Sequence, residues 1–214
     1  MARLIRRYDD GTRINHWVVA LLFLGAGLSG LALFHPLFWP FTGLFGGGQW
    51  TRILHPFIGL AMVIGFVVLF FQVVRDNFWN RGDTEWLRRS PRLVGAGRED
   101  ELPPVAKYNA GQKGVFWLFT LCLLVLLVSG FFFWEPWFAS AVPILVRRIA
   151  VVLHAIAGFL LVLGVIIHVY AAIWVKGSMR AMTRGTVTPA WARRHHPLWY
   201  REVSGRPAGD APER

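Results

Sequence analysis

Residues 149–175 read IAVVLHAIAGFLLVLGVIIHVYAAIWV, without one Asp, Glu, Lys or Arg. About 20 apolar residues in a helix are enough to cross the hydrocarbon core of a bilayer, which is roughly 30 Å thick. Two histidines nevertheless lie in this stretch, His154 and His168. Ionisable groups at membrane depth are costly, and they are usually retained for a function. The stretch therefore predicts a transmembrane helix that carries two functional histidines at two depths.

Three other apolar stretches are similar, so that the chain has four predicted transmembrane helices. They cover residues 15–34, 53–74, 114–134 and 149–175. In lipid every backbone N–H and C=O must find a partner inside the segment, and the alternating pattern of a β-barrel does not occur in this sequence. A hydrophobic content of 55% and a mean hydropathy of +0.44 agree with this interpretation. We predict an all-α integral membrane protein, a four-helix transmembrane bundle that forms a single domain over residues 1–214.

The net charge of +11 is explained by where the basic residues lie. Twenty of the 23 Lys and Arg fall in residues 1–13, 75–113 and 176–214. Basic residues favour the cytoplasmic side of transmembrane helices. Both termini, the 76–111 loop and the 176–214 tail are therefore expected in the cytoplasm, in a multi-pass protein of the bacterial inner membrane. Nucleic-acid binding has no support beyond the net charge, whereas contact with anionic membrane lipid would follow from this topology.

The polar segments give less information. A short surface helix is expected around Glu85 to Arg89, and the last ten residues are typical of a disordered end. The first apolar segment follows several arginines, but it is long and has no evident cleavage site. We expect it to be retained as a transmembrane helix.

Four histidines fall inside or at the ends of the predicted helices, and their depths pair them. The 149–175 helix runs inward, which places His154 near the outer face and His168 about 21 Å deeper at 1.5 Å per residue. His55 lies in the first turn of an inward helix, level with His154. His16 lies in the first turn of an outward helix, level with His168. The sequence thus predicts an outer pair, His55 and His154, and an inner pair, His16 and His168.

Two imidazoles on facing helices can serve as the axial ligands of one haem iron, so we predict two b-type haems. Zinc is the alternative metal, but it usually takes three or four protein ligands, and no Asp or Glu stands near these histidines. Cys122 is the only cysteine, which excludes covalent haem attachment and a cysteine-ligated cluster within this chain. We expect it to be a packing residue. Five glycines could make room either for a flat macrocycle or for close packing of helices, and both explanations are open. They are Gly27, Gly30, Gly59, Gly130 and Gly158.

The remaining histidines and the outer arginines have weaker predictions. His35 in an outer loop and the tail residues His195 and His196 are expected at the surface. The three basic residues outside the cytoplasmic stretches are Arg52, Arg147 and Arg148. We predict that these arginines pair with haem propionates or with acidic groups of a partner subunit, and contact with lipid phosphate is the alternative.

Six motifs are spread along the chain. They are His55-Pro56-Phe57-x-Gly59, Lys107-Tyr108-Asn109-Ala110-Gly111-Gln112-Lys113, His154-Ala155-x-Ala157-Gly158, His168-x-Tyr170, Trp174-Val175-Lys176-Gly177-Ser178 and His195-His196-Pro197-x-Trp199-Tyr200-Arg201-Glu202. Together they resemble the gamma subunit of respiratory formate dehydrogenase, a cytochrome b. The resemblance covers nearly the whole chain, and the 107–113 stretch and the tail are its most specific parts.

The resemblance implies a complex with an iron–sulfur beta subunit and a molybdenum- or tungsten-containing alpha subunit that oxidises formate. Electrons would pass from the iron–sulfur subunit to the outer haem, then to the inner haem, and finally to menaquinone or ubiquinone. It also implies a quinone site at Asn109, Gly111, Gln112 and His168. From the residues alone, a helix N-terminus with Asn109 as its N-cap is the favoured explanation of this stretch.

Two other functions are compatible with parts of the sequence. A cytochrome b subunit of a nickel–iron hydrogenase would share the four-histidine plan and differ in its partners. A small membrane transporter could carry histidines along a path, but the predicted helix interiors lack the Asp and Glu that proton-coupled transport commonly uses.

Overall fold

A computed structural model describes residues 4–95, 101–135 and 137–205. The long helices in chain order are α1 (Asp10–Phe34), α2 (Gly48–Val73), α3 (Arg81–Gly95), α4 (Ala110–Phe133) and α5 (Ile144–Trp174). Four of them, α1, α2, α4 and α5, are long and apolar enough to cross a membrane. The predicted all-helical protein with four membrane-spanning helices is confirmed at this level.

The four spanning helices begin earlier than the hydropathy predicted. α1 begins at Asp10 instead of residue 15, and α2 begins at Gly48 instead of residue 53. α4 begins four residues before its predicted start, and α5 begins five residues before its predicted start. Hydropathy detects the part of a helix that contacts lipid, whereas the first turns carry polar residues that continue the helix beyond that part. The bounds from the sequence were therefore too narrow at the N-terminal ends.

The connection between α1 and α2 is a 3₁₀ helix, Pro36–Phe45. The His35 side chain caps it by accepting a hydrogen bond from the Leu37 N–H at 3.2 Å. Gly46 and Gly47 end it with φ of 87° and 98°, a left-handed conformation that glycine adopts without strain. This tight turn leads directly into α2. His35 is exposed, as expected.

The polar segments hold more structure than the sequence indicated. The predicted short helix at 85–89 is part of the longer α3. The tail forms three short helices, α6 (Ser178–Arg184), α7 (Pro189–His195) and α8 (Pro197–Ser204). A two-residue antiparallel strand pair joins β1 (Ile5–Arg6) to β2 (Thr186–Val187). The last ten residues were expected to be disordered, and those beyond residue 205 lie outside the described residues.

The chain divides into two compact units. The span unit consists of residues 11–72 and 117–170, and the loop unit of the described parts of 1–10, 73–116 and 171–214. The core of the span unit receives buried side chains from all four spanning helices, including Cys122. They are Ala26, Met62, Phe66, Cys122, Leu123 and Leu161. The single domain predicted over 1–214 stays a prediction.

Arg7 lies at the centre of the loop unit, where only 6% of its surface is exposed. Its guanidinium donates to the Lys107 carbonyl and lies 4.8 to 5.8 Å from four aromatic ring centres. Those rings belong to Tyr8, Tyr108, Trp191 and Trp199. A desolvated cation over aromatic faces contributes about 2 kcal/mol. Arg7 therefore ties the N-terminus to the 101–116 segment and to the tail.

His196 was expected at the surface, and this expectation is wrong. It is 2% exposed, with Nδ1 2.9 Å from the Ala106 carbonyl and Nε2 3.3 Å from the Arg7 guanidinium. Burial, with a further contribution from Arg7, lowers the pKa of His196 to about 3. The neutral ring can then donate through Nδ1 to Ala106 and accept at Nε2 from Arg7. This contact could not be predicted from the sequence because the two residues are 189 positions apart.

Lys113 and Asp83 form a buried ion pair in the loop unit. The Lys113 Nζ is 2.7 Å from the Asp83 carboxylate, and the two side chains are 3% and 6% exposed. Asp83 also accepts the Asn80 N–H at 2.8 Å, while the Asn80 side chain accepts the Asp83 N–H at 3.1 Å. This reciprocal capping box fixes the start of α3, and Lys113 attaches it to the first turn of α4.

We expect Lys113→Met to destabilise the protein by about 3–5 kcal/mol, because it leaves the Asp83 carboxylate buried and unpaired. Lys107→Met is the matched control, since the Lys107–Asp76 side chains are 26% and 40% exposed and such pairs contribute about 1 kcal/mol or less. Thermal unfolding of the full chain in detergent would compare the two variants. Equal shifts in Tm would contradict the importance of the buried pair.

Candidate functional site

The span unit brings the four predicted histidines together as two pairs. The ring centres of His55 on α2 and His154 on α5 are 6.2 Å apart, with the ring planes at 71°. The ring centres of His16 on α1 and His168 on α5 are 6.3 Å apart, with the planes at 50°. The pairs are those chosen from depth along the helices. Their role as metal ligands is not tested by this proximity and stays a prediction.

The two pairs lie on either side of the apolar core of the span unit. On α5, Leu161 of that core is midway in sequence between His154 and His168. At 1.5 Å per residue, each histidine is about 10 Å along the helix from it. The unit therefore holds two separate imidazole pairs with closely packed apolar side chains between them.

Each histidine of the outer pair contacts a buried serine on a neighbouring helix. The His55 Nδ1 is 2.9 Å from the Ser29 Oγ, and the His154 Nδ1 is 3.0 Å from the Ser129 Oγ. Ser29 is fully buried and Ser129 is 4% exposed. The sequence analysis did not identify these serines. The signal that could have found them is the Ser-Gly dipeptide, which occurs once in α1 and once in α4.

The glycines of those dipeptides make room for the imidazole rings. A Cβ on Gly30 would lie 3.2 Å from the His55 Cε1, and one on Gly130 would lie 3.4 Å from the His154 Cε1. At Gly59, one turn after His55, an added Cβ would meet nothing within 4 Å. Two of the five glycines singled out in the sequence thus pack against the histidines, and a third borders open space.

The geometry of both pairs fits a metal ion held between two imidazoles. A metal–imidazole bond is about 2 Å long and the ring centre lies about 1 Å behind the nitrogen, so two rings on opposite sides of one ion have centres about 6 Å apart. Among residues 4–95, 101–135 and 137–205, no group of three or more His, Cys, Asp or Glu could hold a metal ion. Pairs of this kind suit haem iron, whose other four ligands come from the macrocycle.

Asn109 and Gln112 form a second reciprocal capping box, at the start of α4. The Asn109 side chain accepts the Gln112 N–H at 2.9 Å, and the Gln112 side chain accepts the Asn109 N–H at 3.0 Å. A Cβ on Gly111 would lie 3.4 Å from the Asn109 Oδ1. Asn109 is therefore an N-cap, and Gly111 and Gln112 are exposed. These residues belong to the loop unit and His168 to the span unit, and their common role at a quinone stays a prediction.

The three outer arginines differ in their surroundings. Arg147 pairs with Glu135 at 3.2 Å, with side chains 31% and 71% exposed. Arg52 is exposed and lines a cavity of about 350 Å³ together with Trp39, Gly48 and Gln49. Arg148 is exposed. Arg52 and Arg148 are thus accessible to a ligand or partner, whereas Arg147 has a partner within the chain.

Comparison with known proteins adds a family to this geometry. Residues 7–185 match the family model described as prokaryotic cytochrome b561. This range contains all four spanning helices and both histidine pairs.

Individual relatives are similar over most of the chain. The cytochrome b556(fdo) subunit of formate dehydrogenase from Escherichia coli (strain K12) is 44% identical over 93% of this chain and 93% of its own length. The cytochrome b556(Fdn) subunit of the nitrate-inducible formate dehydrogenase from the same strain is 41% identical over 94% and 93%. The formate dehydrogenase cytochrome b556 subunit of Haemophilus influenzae is 37% identical over 92% and 83%.

We expect His55→Ala and His154→Ala to abolish the same one of two b-type haems, because each removes half of a bis-imidazole site. His16→Ala and His168→Ala should abolish the other. His35→Ala is the matched control and should retain both, since this exposed residue caps a 3₁₀ helix. The pyridine haemochrome assay and reduced-minus-oxidised spectra would measure this. Two haems per chain in the His55 or His154 variant would show that the outer assignment is wrong.

Proposed function

The chain belongs to the prokaryotic cytochrome b561 family, and from this premise we propose that it is the di-haem cytochrome b anchor of a formate dehydrogenase in the bacterial inner membrane. It would transfer electrons from an iron–sulfur subunit to a membrane quinone. The observation that carries the proposal is the presence of two imidazole pairs of bis-ligand spacing in one span unit. Relatives named as formate dehydrogenase subunits, 44% and 41% identical over nearly the full chain, support this assembly over a hydrogenase or a transporter.

The residues around each pair would hold one haem b. His55 and His154 would be the axial ligands of the outer haem, and His16 and His168 those of the inner haem. When bound, the haems supply one-electron transfer, while the protein sets their ligands, positions and surroundings. The apolar core between the pairs excludes water from the space around the electron path. Formate oxidation itself would belong to the catalytic subunit.

The proposed orientation places both termini in the cytoplasm and the outer pair on the opposite side. It rests on the basic residues, which are concentrated in the loop unit and in both terminal segments. Electrons that enter at the outer pair and leave near the inner pair would cross most of the membrane. Moving one charge across 100 mV involves about 2.3 kcal/mol. The transfer would therefore conserve energy as membrane potential.

The first turn of α4 is the proposed place for the quinone, and the inner haem, with His168 as a ligand, is its proposed electron donor. N–H groups in a first helical turn have no acceptor within the helix. The capping box takes those of Asn109 and Gln112, which leaves the N–H groups of Ala110 and Gly111. Ala110 is buried, so the exposed Gly111 N–H is the candidate donor to a quinone carbonyl. The exposed surface at Gly111 and the lack of a side chain there support access by a flat ring.

We expect His168→Ala to stop quinone reduction while formate still reduces the outer haem. Gly111→Val should do the same without loss of either haem, because its side chain would occupy the proposed quinone position. Gly114→Val is the matched control, since a Cβ there meets nothing within 4 Å. Visible spectra and quinol formation by the complex with formate would be followed together. An outer haem that stays oxidised while quinone is reduced would reverse the proposed order.

The exposed arginines Arg52 and Arg148 are the proposed contacts to acidic groups of the iron–sulfur subunit or to haem propionates. We expect Arg52→Glu and Arg148→Glu to weaken assembly or haem retention. Each variant replaces a cation by a carboxylate, which would repel the carboxylate of the partner subunit or of the haem instead of pairing with it. Arg147→Glu faces Glu135 and serves as the comparison for a residue with an intrachain partner. Native mass spectrometry and haem content would measure both effects. Unchanged assembly and haem content in Arg52→Glu and Arg148→Glu would rule out this role.

A further inference from the structure

The hydroxyls of Ser29 and Ser129 donate their protons to backbone carbonyls of their own helices. The Ser29 Oγ donates to the Gly25 carbonyl at 2.7 Å, and the Ser129 Oγ donates to the Val125 carbonyl at 2.5 Å. A hydroxyl carries one proton and two acceptor lone pairs. Each serine oxygen can therefore accept one more hydrogen bond, and the atom next to it is a histidine Nδ1.

This arrangement decides which nitrogen of each outer histidine carries the proton. A carbonyl only accepts, so the hydroxyl proton stays on the backbone bond and Nδ1 must be the donor to the serine oxygen. Each of the two serine contacts therefore requires a proton on the histidine Nδ1. The lone pair is then on Nε2, the nitrogen left for a metal.

The inner pair is different. Among the described residues, the His16 Nδ1 is buried and has no hydrogen-bond partner. Its neighbours are rings, with the Trp17 ring centre 5.4 Å away and the His168 ring centre 6.3 Å away. A ring without such a bond is held by packing alone. The two sites of one chain thus differ in how their ligands are oriented.

We propose that Ser29 and Ser129 are positioning residues that fix the tautomer and the plane of His55 and His154 and thereby make the outer site electronically distinct from the inner one. The proposal rests on the proposed function, because it concerns imidazoles that ligate haem iron. A hydrogen bond from the distal ring N–H raises the basicity of a ligating histidine and sets its orientation. The more basic ligand favours the oxidised iron and lowers the reduction potential.

The ring planes supply a signature that a merely structural role would not produce. The outer planes meet at 71°. In a low-spin ferric haem with two imidazole ligands, the largest g value depends on the angle between the ring planes. Without its serine, each ring loses the acceptor that holds its Nδ1 and is free to turn. The angle and the g value of the outer haem should then change.

The test uses the full complex with Ser29→Ala, Ser129→Ala and the double variant. The outer haem is assigned as the signal that is missing in His55→Ala. We expect its largest g value to shift, its midpoint potential to rise and its retention to weaken by about 10–100-fold, while the inner haem is unchanged. Ser129→Thr, which keeps a hydroxyl, should restore the wild-type signals. Ser90→Ala is the matched control, because Ser90 also donates to its own helix, at the Leu87 carbonyl, but lies on α3.

Each outcome decides a different point. If one serine variant does not assemble, the other tests the second ring of the same pair. Unchanged g value and potential of the outer haem, or equal shifts at both haems, would overturn the role of the serines. A wild-type complex without a bis-imidazole low-spin signal would instead overturn the proposed function and leave no ligand for the serines to position.

Discussion

The constraint on which this structure depends is the cost of an imidazole without a polar partner in an apolar helix bundle. Unpaired polar groups at membrane depth cost several kcal/mol, so a histidine in a spanning helix is costly unless it is bonded. In the span unit the histidines lie in facing pairs and each outer Nδ1 has a serine, whereas the His16 Nδ1 has no hydrogen-bond partner among the described residues. Gly30 and Gly130 leave space for the outer rings.

In the loop unit, two buried cations likewise need partners. Arg7 and Lys113 are cations with 6% and 3% exposure, and each is held by a different kind of contact. Lys113 has a carboxylate, Asp83, which is itself fixed by a capping box. Arg7 has aromatic rings, a carbonyl and a histidine whose low pKa keeps it neutral and able to accept. These contacts join segments that are far apart in sequence, and they give an otherwise polar set of connections a core of its own.

The sequence predicted the spanning helices and the histidine pairs because both depend on local quantities. The length of an apolar stretch identifies a spanning helix. The position of a residue along a helix of predicted direction gives its depth, and equal depth is the reason that His55 was paired with His154. It could not show the loop unit, since the contact of Arg7 with His196 depends on folding over 189 positions. It also missed Ser29 and Ser129, because a serine in an apolar helix bonds to its own backbone in most contexts. Apart from the glycine that follows each of them, the facing histidine ring is what distinguishes these two from other serines in apolar helices.

The outer site contains a repeat that the sequence did not make evident. Ser29 and Gly30 precede His55 much as Ser129 and Gly130 precede His154, with serine-to-histidine spacings of 26 and 25 residues. Each of the two helix pairs, α1 with α2 and α4 with α5, therefore supplies one histidine, one serine that accepts from it and one glycine that leaves space for the ring. The inner site does not follow this repeat. Counting from Ser129 and His55, the positions equivalent to His16 and His168 are Phe116 and Leu69, which cannot bind a metal. The repeat thus accounts for one pair only, and His16 and His168 have no counterpart in the other hairpin. The two pairs therefore have different surroundings, and in the proposed function this difference would favour electron transfer in one direction.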